Sequence, residues 1–338
     1  MRIALTGSIA TDHLMEFHGR FADQLIAGSL DKVSLSFLSE ELRIRHGGVA
    51  ANIACGLGRL GLTPYLVGAA GVDFADYQLW LKRNGVDTDS VAVSATRHTA
   101  RFVCTTDTDQ NQIATFYTGA MSEARDIALR PVLDRVGSLD LVVVSPNDPE
   151  AMLRHTRESR ELGLPFAADP SQQLARMSRE ECRALLDHPQ LLFGNEYESV
   201  LLQERTGWTE QQVLGRTGTW ITTLGADGVR VQRAGRPTLN VPAVGTANAV
   251  DPTGVGDAFR AGFLAGLAWE LGDERSAQLG CAVAVLALES VGTQEYVLDA
   301  GTLLDRVRGA YGDRAAEELA GRLPTTAAGA AGTPGTPG

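Results

Sequence analysis

An alternation of two kinds of segment constrains this chain more than anything else in it. Short apolar runs, Ile3–Leu5, Tyr65–Val67, Leu141–Val144, Phe166–Ala168, Leu191–Phe193 and Ile221–Leu224, are mostly bounded by Gly, Pro, Asp or Asn and read as strands. Amphipathic stretches separate them. Val49, Ala50, Ile53, Ala54, Leu57 and Leu60 recur at helical spacing, and Leu153, Thr156 and Arg160 mark a more polar helix after Pro149. Further helices are expected from about 257 to 271, 274 to 289 and 302 to 319. Strands that alternate with helices favour an α/β fold, a doubly wound, mostly parallel central sheet with helices on both faces.

Two stretches break the pattern, near 11–46 and 97–118. They carry period-2 or β-branched runs such as Lys32-Val33-Ser34-Leu35-Ser36-Phe37 and Arg101-Phe102-Val103-Cys104-Thr105. Because both flank the same helix and strand, they are expected to pair as one small β-sheet lid over a site on the main body. The expected organisation is one domain over 1–323, with a core of 1–10, 47–96 and 119–323 and a lid from 11–46 and 97–118. The Gly/Pro/Ala/Thr-rich tail, 324–338, has almost nothing to bury and is expected to be disordered.

With 338 residues, 44% of them hydrophobic and 21% charged, the chain can bury a full core. Its formal charge of −11 repels phosphate backbones and acidic membrane surfaces, so neither nucleic acid nor membrane is an expected partner. The cysteines, Cys55, Cys104, Cys182 and Cys281, lack paired spacing and read as reduced thiols. The apolar stretch at the N-terminus is far shorter than a signal h-region, and no run approaches the ~20 apolar residues of a membrane span. A cytoplasmic protein is expected.

The sharpest motif is Asp251-Pro252-Thr253-Gly254-Val255-Gly256-Asp257, a Gly-rich turn that runs into a helix. Free N–H groups and the positive dipole end at a helix start suit a phosphate, and Gly254 and Gly256 let the backbone come close to it. Asp257 stands where a carboxylate is expected to stay ionised and to accept the proton of an attacking hydroxyl. The structural alternative is a helix-start Asp favoured by the dipole alone. A second Gly-rich element, His46-Gly47-Gly48-Val49-Ala50-Ala51-Asn52, also opens a helix, and Asn52 offers donor and acceptor to a diol; ordinary glycine capping is its alternative. Asn195 and Glu198 follow a strand and share a helical face, where they could organise Mg²⁺ and its waters or form a plain capping box. The segment Thr222-Thr223-Leu224-Gly225-Ala226-Asp227-Gly228 could wrap a nucleotide or turn a hairpin.

Rival signals fail on context. Gly56-Leu57-Gly58-Arg59-Leu60-Gly61 satisfies G-x-G-x-x-G, but its glycines end a helix instead of following a strand and opening one. No P-loop and no protein-kinase signature set is present, and the six histidines are scattered singly.

The segment Asp251–Asp257, the Gly47-Gly48 turn with Asn52, and Asn195-x-x-Glu198 together resemble the signatures of the ribokinase (PfkB) family of carbohydrate kinases, over roughly residues 1–320. Within that family, the segments Gly7–His13, Tyr117–Arg125 and Asp169–Arg176 are similar to those of the actinobacterial adenosine kinases. The resemblance implies ATP-dependent phosphorylation of adenosine to AMP, with Mg²⁺ and with K⁺ as activator. It makes Asp257 the base and Gly254, Val255 and Gly256 an anion hole, while Asp12, Gly47, Gly48 and Asn52 hold ribose hydroxyls. Ser8, Ser36, Gln172, Gln173 and Arg176 would line the adenosine pocket, and Phe102 and Phe116 would stack on adenine. ATP would meet Asn195, Thr223, Gly225 and Gly228, and a monovalent cation Asp251 and Thr253. Asp12 is consistent with its role on chemical grounds, since one carboxylate can accept from two vicinal hydroxyls. The expected partners are small molecules, with a homodimer left open. The alternatives are a sugar kinase on the same scaffold and a non-catalytic nucleoside-binding protein.

Overall fold

The structure is a computed structural model that describes residues 1–25 and 34–324. Among these the chain forms strands β1 (Ile3–Thr6), β2 (Ala10–Glu16), β3 (Leu42–Gly47), β4 (Tyr65–Ala70), β5 (Asp87–Val93), β6 (Ala100–Thr106), β7 (Gln112–Tyr117), β8 (Leu141–Val144), β9 (Phe166–Ala168), β10 (Leu191–Asn195), β11 (Thr219–Thr223), β12 (Val229–Gln232) and β13 (Leu239–Val241). They build a nine-stranded sheet, in the order β13-β12-β11-β10-β9-β8-β1-β4-β5, and a separate four-stranded sheet, β3-β2-β6-β7. The large sheet is parallel from β11 to β5 and ends in two antiparallel pairs.

Burial on both faces explains the apolar runs. In β8, Leu141 and Val143 face one core and Val142 and Val144 the other, as a period-2 backbone covered on both sides requires. One face carries Val49–Arg59, Val255–Ala268 and Gly272–Leu288 among its helices, the other Pro149–Glu161 and Glu196–Thr206. From β1 the chain winds to β4 and β5 in one direction, and from β8 to β9, β10 and β11 in the other. The winding therefore reverses between β1 and β8, and the crevice at the carboxyl ends of these strands is where α/β sheets bind ligands.

The small sheet grows out of this crevice, because β2 begins only a few residues after β1 ends. Its register puts Arg45, Asp12, Phe102 and Phe116 opposite one another on successive strands, in one row across the sheet.

Some expectations need correction. The run from Lys32 to Phe37 was expected to be a strand; Lys32 and Val33 lie outside the described residues, and Ser34–Phe37 is not a strand. Phe37 instead packs on Phe17 and Phe21, with ring centroids 4.9 and 4.8 Å apart. Burying an aromatic cluster takes precedence over ladder formation, and β3 falls later, at Leu42–Gly47. The helix expected over 302–319 is two, Ala300–Tyr311 and Asp313–Ala320, broken at Gly312 with φ 86°. The segment after Thr222 turns as a hairpin, since β11 and β12 pair antiparallel. The described cysteines are free and buried. Among the described residues no helix is long and apolar enough to cross a membrane. The tail from 325 lies outside the described residues.

Candidate active site

A cavity of about 460 Å³ opens where the small sheet faces the carboxyl ends of β1 and β8. Its sheet-side wall is Asp12, Phe102 and Phe116; its floor includes Gly48, Asn52, Gly254 and Asp257. Ser8 follows β1, and Gln172, Gln173 and Arg176 come from the turn after β9. Thr253 lines the cavity as well. Groups as far apart in sequence as Ser8 and Thr293 thus meet across a single small volume, brought together by the winding of the large sheet and by the small sheet above it.

Other expected site residues lie elsewhere. Ser36 is exposed and does not line the cavity. Gly47 is buried beside it, its carbonyl accepting from the Tyr77 hydroxyl at 2.8 Å. Asn195 and Thr223 are register partners at the ends of β10 and β11. Gly225 is exposed, whereas Gly228 is buried against the Val241 carbonyl.

The base candidate stands at the start of the Val255–Ala268 helix. Gly254 caps it with φ 78°, and a Cβ there would meet the Thr293 side chain at 2.8 Å, so only glycine brings the turn so close. The first intrahelical bond runs from the Ala258 N–H to the Gly254 carbonyl, 2.9 Å, and the Val255 N–H donates to the Pro252 carbonyl at 3.4 Å, which leaves the Gly256 and Asp257 amides at the helix end for an anion. Asp257 Oδ2 accepts from Asn52 Nδ2 at 2.8 Å.

The sequence suggests an ionised Asp257 at a helix start, and its surroundings act on that ionisation in both directions. Burial pushes its carboxyl up to about 7, although Arg260 and the Asn52 hydrogen bond both pull it down. Desolvation outweighs both, since removal from water penalises the charged form. Burial, supported by the charges of Glu295 and Asp251, likewise pushes Asp12 up to about 6.

Asn52 is also more committed than expected. Its Oδ1 accepts from Gln294 Nε2 at 2.8 Å and lies 3.0 Å from the Thr293 hydroxyl. The Thr293 proton has the His46 carbonyl, at 2.8 Å, as a nearer acceptor, so Asn52 has one Nδ2 hydrogen left for a ligand and an Oδ1 already engaged by Gln294. The Ser8 hydroxyl accepts from the Val49 amide at 3.0 Å and keeps its own proton to donate. Gln173 donates to the Asn147 carbonyl at 2.8 Å, and its buried Oε1 has no partner among the described residues.

The Asn195–Glu198 pair forms a reciprocal capping box. Glu198 Oε2 accepts from the Asn195 amide and Oε1 from the Ser171 hydroxyl, both at 2.9 Å. With each oxygen already engaged once, this carboxylate suits the waters of a hydrated divalent cation better than the bare ion. Among the described residues no cluster of three or more His, Cys, Asp or Glu is arranged to hold a metal. Asp251 accepts from the Thr253 and Gly292 amides at 2.9 and 3.0 Å. Burial would raise its carboxyl, but these hydrogen bonds hold it below the usual range.

Sequence reasoning missed the polar groups beneath the site. Arg260 NH2 pairs with Asp169 Oδ1 at 2.6 Å, both nearly inaccessible, and Arg260 NH1 donates to the Gly256 carbonyl at 3.0 Å. The available signal was a lone arginine in the apolar stretch Ala258-Phe259-Arg260-Ala261-Gly262-Phe263, since a buried charge needs a partner. Thr293 and Gln294 carried no sequence signal.

Residues 11–300 match the family model described as pfkB family carbohydrate kinase. A nucleoside kinase of Methanothermobacter thermautotrophicus is 32% identical over 280 residues, covering 81% of this chain and 88% of the relative. The ribokinase of Bacillus subtilis is 27% identical over 267 residues, covering 78% and 88%. The Burkholderia thailandensis nucleoside kinase in complex with inosine superposes with a TM-score of 0.80 at 31% identity, covering 92% of this chain and 98% of that one. The same enzyme in complex with ADP-inosine gives a TM-score of 0.77.

Proposed function

The chain belongs to the pfkB family of carbohydrate kinases, and on that premise we propose that it phosphorylates the 5′-hydroxyl of adenosine with ATP, yielding AMP and ADP. One observation carries the nucleoside reading: a single cavity holds a diol-sized polar end, Asp12 and Asn52, and an aromatic end, Phe102 and Phe116. A free sugar uses the first and leaves the second idle. The nucleoside kinase relatives agree with this reading.

Asp12 accepts from the ribose hydroxyls and so fixes the sugar, while one of the Phe rings stacks on the base. The 5′-oxygen loses its proton to Asp257 as it bonds to the γ-phosphorus, and the bond from that phosphorus to the bridging oxygen of ADP breaks in line. The Gly254-Val255-Gly256 turn, through the Gly256 amide that has no partner among the described residues, receives the charge that develops on the transferred group. ATP lies along the ends of β10 and β11, by Asn195, Thr223, Gly225 and Gly228. Asn195 and Glu198 would hold the waters of Mg²⁺, which when bound neutralises phosphate charge. Asp251 and Thr253 would border K⁺, so activity should fall when K⁺ is replaced by tetramethylammonium.

The test is ATP consumption over adenosine, inosine, ribose and fructose at equal concentration. The highest kcat/KM is expected for adenosine. Turnover of ribose or fructose with adenosine inert would put a sugar kinase in its place; tight adenosine binding without turnover of any acceptor would leave only a binding protein.

A further inference from the structure

A chain of buried hydrogen bonds runs behind the cavity with a fixed polarity. The Trp80 indole N–H, which can only donate, gives its proton to Gln294 Oε1 at 2.9 Å. That identifies the other end of the Gln294 amide as its NH₂, which donates to Asn52 Oδ1 at 2.8 Å and to the Tyr77 hydroxyl oxygen at 2.6 Å. Tyr77 can accept there because its own proton goes to the Gly47 carbonyl. Asn52 in turn has only its NH₂ to offer Asp257. Gln294 is 1% exposed and Asn52 5%, so water has little access to the two bonds that the Gln294 NH₂ donates.

This polarity has a chemical consequence. An asparagine amide flipped by half a turn would present Oδ1 to Asp257, and that arrangement favours a protonated carboxyl, which can donate. The donor end favours the ionised carboxylate, which can only accept. We infer that Gln294 is a positioning residue for phosphoryl transfer: it locks Asn52 in the donor orientation, and so holds Asp257 by Oδ2 with its other oxygen turned to the acceptor hydroxyl. The inference rests on Asp257 being the base. The charged or titratable groups around Asp257 are Arg260 on its own helix, Asp169 after β9, Glu198 on the helix after β10, and Tyr296. None of them belongs to the chain from Trp80, so changing Gln294 leaves them in place.

The experiment is a double-mutant cycle on the full-length protein, with Gln294→Leu and Asn52→Ala singly and together, read as kcat, KM for both substrates and the pH profile of kcat/KM. Gln294→Leu is expected to lower kcat about 10- to 100-fold, the worth of one hydrogen bond to a charged group, with ATP KM unchanged. The acid limb of the profile should move to higher pH. In the Asn52→Ala background the same substitution should cost little more, because its effect passes through Asn52. Gln294→Glu, of the same shape but unable to donate when ionised, carries the same cycle should the leucine variant not fold. Losses that multiply in the double variant, or an unmoved acid limb, overturn the inference while leaving the base assignment intact. Full activity of Asp257→Asn, measured alongside, overturns both.

Discussion

The base role proposed for Asp257 joins two requirements that pull against each other, since a base must be ionised to act and this carboxyl is held where burial opposes ionisation. Burial lifts its carboxyl to about 7, against the pull of Arg260 and Asn52, which places it where proton acceptance is efficient at neutral pH. A carboxyl with a raised value is protonated below it and cannot take the substrate's proton, so kcat/KM should fall on the acid side with an apparent midpoint near 7. A profile flat down to pH 5 would remove Asp257 from the role. Asp257→Asn keeps the shape and abolishes the base, and should lower kcat by roughly 10²–10⁴-fold while adenosine and ATP still bind by calorimetry. At this scale the motif was legible, because a Gly-rich turn followed by Asp has few other uses next to the family's other signatures. The ionisation state was not, because the burial that raises the carboxyl and the groups that oppose it, Arg260 and Asn52, come together only in the fold.

Among the elements, the small sheet contributes one row of side chains, Arg45–Asp12–Phe102–Phe116, and this row fixes what can lie in the cavity. Phe116 lines the cavity and is 45% exposed, and among the described residues no aromatic ring packs on it. Phe116→Ala should weaken adenosine binding by roughly 1–3 kcal/mol, the scale of one base–aromatic stack, with ATP-analogue affinity nearly unchanged. Calorimetric titration with each ligand decides it: unchanged adenosine affinity makes Phe116 structural, and equal losses for both ligands mean that the sheet has come apart. Strand-forming segments at 101–105 were legible because β-branched and aromatic residues crowd there. Ser34–Phe37 shows the same period-2 alternation without forming a strand, since periodicity does not say whether a buried ring finds its partner in a ladder or in an aromatic cluster.

In the whole molecule, the two sheets are joined at Asp73, in the loop after β4. Asp73 Oδ1 accepts from the Thr99 amide and hydroxyl at 2.8 and 2.7 Å, just before β6, and Oδ2 meets Arg101 within it. Burial raises this carboxyl, but the hydrogen bonds from Thr99 and Arg101 outweigh it and hold it well below its ordinary value of 3.8. Asp73→Ala should therefore cost about 2–4 kcal/mol, from hydrogen bonds to a charged group, and lower the urea midpoint at pH 7. A group with a depressed folded value contributes above its unfolded value and loses that contribution as pH falls through the folded one, so the difference between the two proteins should persist at pH 5. Equal midpoints at pH 7 would show that the joint adds nothing. On the proposed function, the variant should also raise the adenosine KM more than the ATP KM, because the row proposed to hold adenosine rides on this joint.

By itself the sequence determined the α/β alternation, the small β-sheet insertion, the family and the identity of the base candidate. These are local properties: apolar runs, helical spacing and Gly-rich turns declare themselves within a few residues. Only the tertiary structure decided which groups meet. The winding reversal between β1 and β8 brought Ser8, Gln173 and Asp257 to one cavity, the strand register aligned Asp12 with Phe102 and Phe116, and packing placed Gln294 behind Asn52 and Arg260 against Asp169. Proton affinity and amide orientation depend on neighbours within hydrogen-bond reach, and in this fold those neighbours come from segments far apart in the chain.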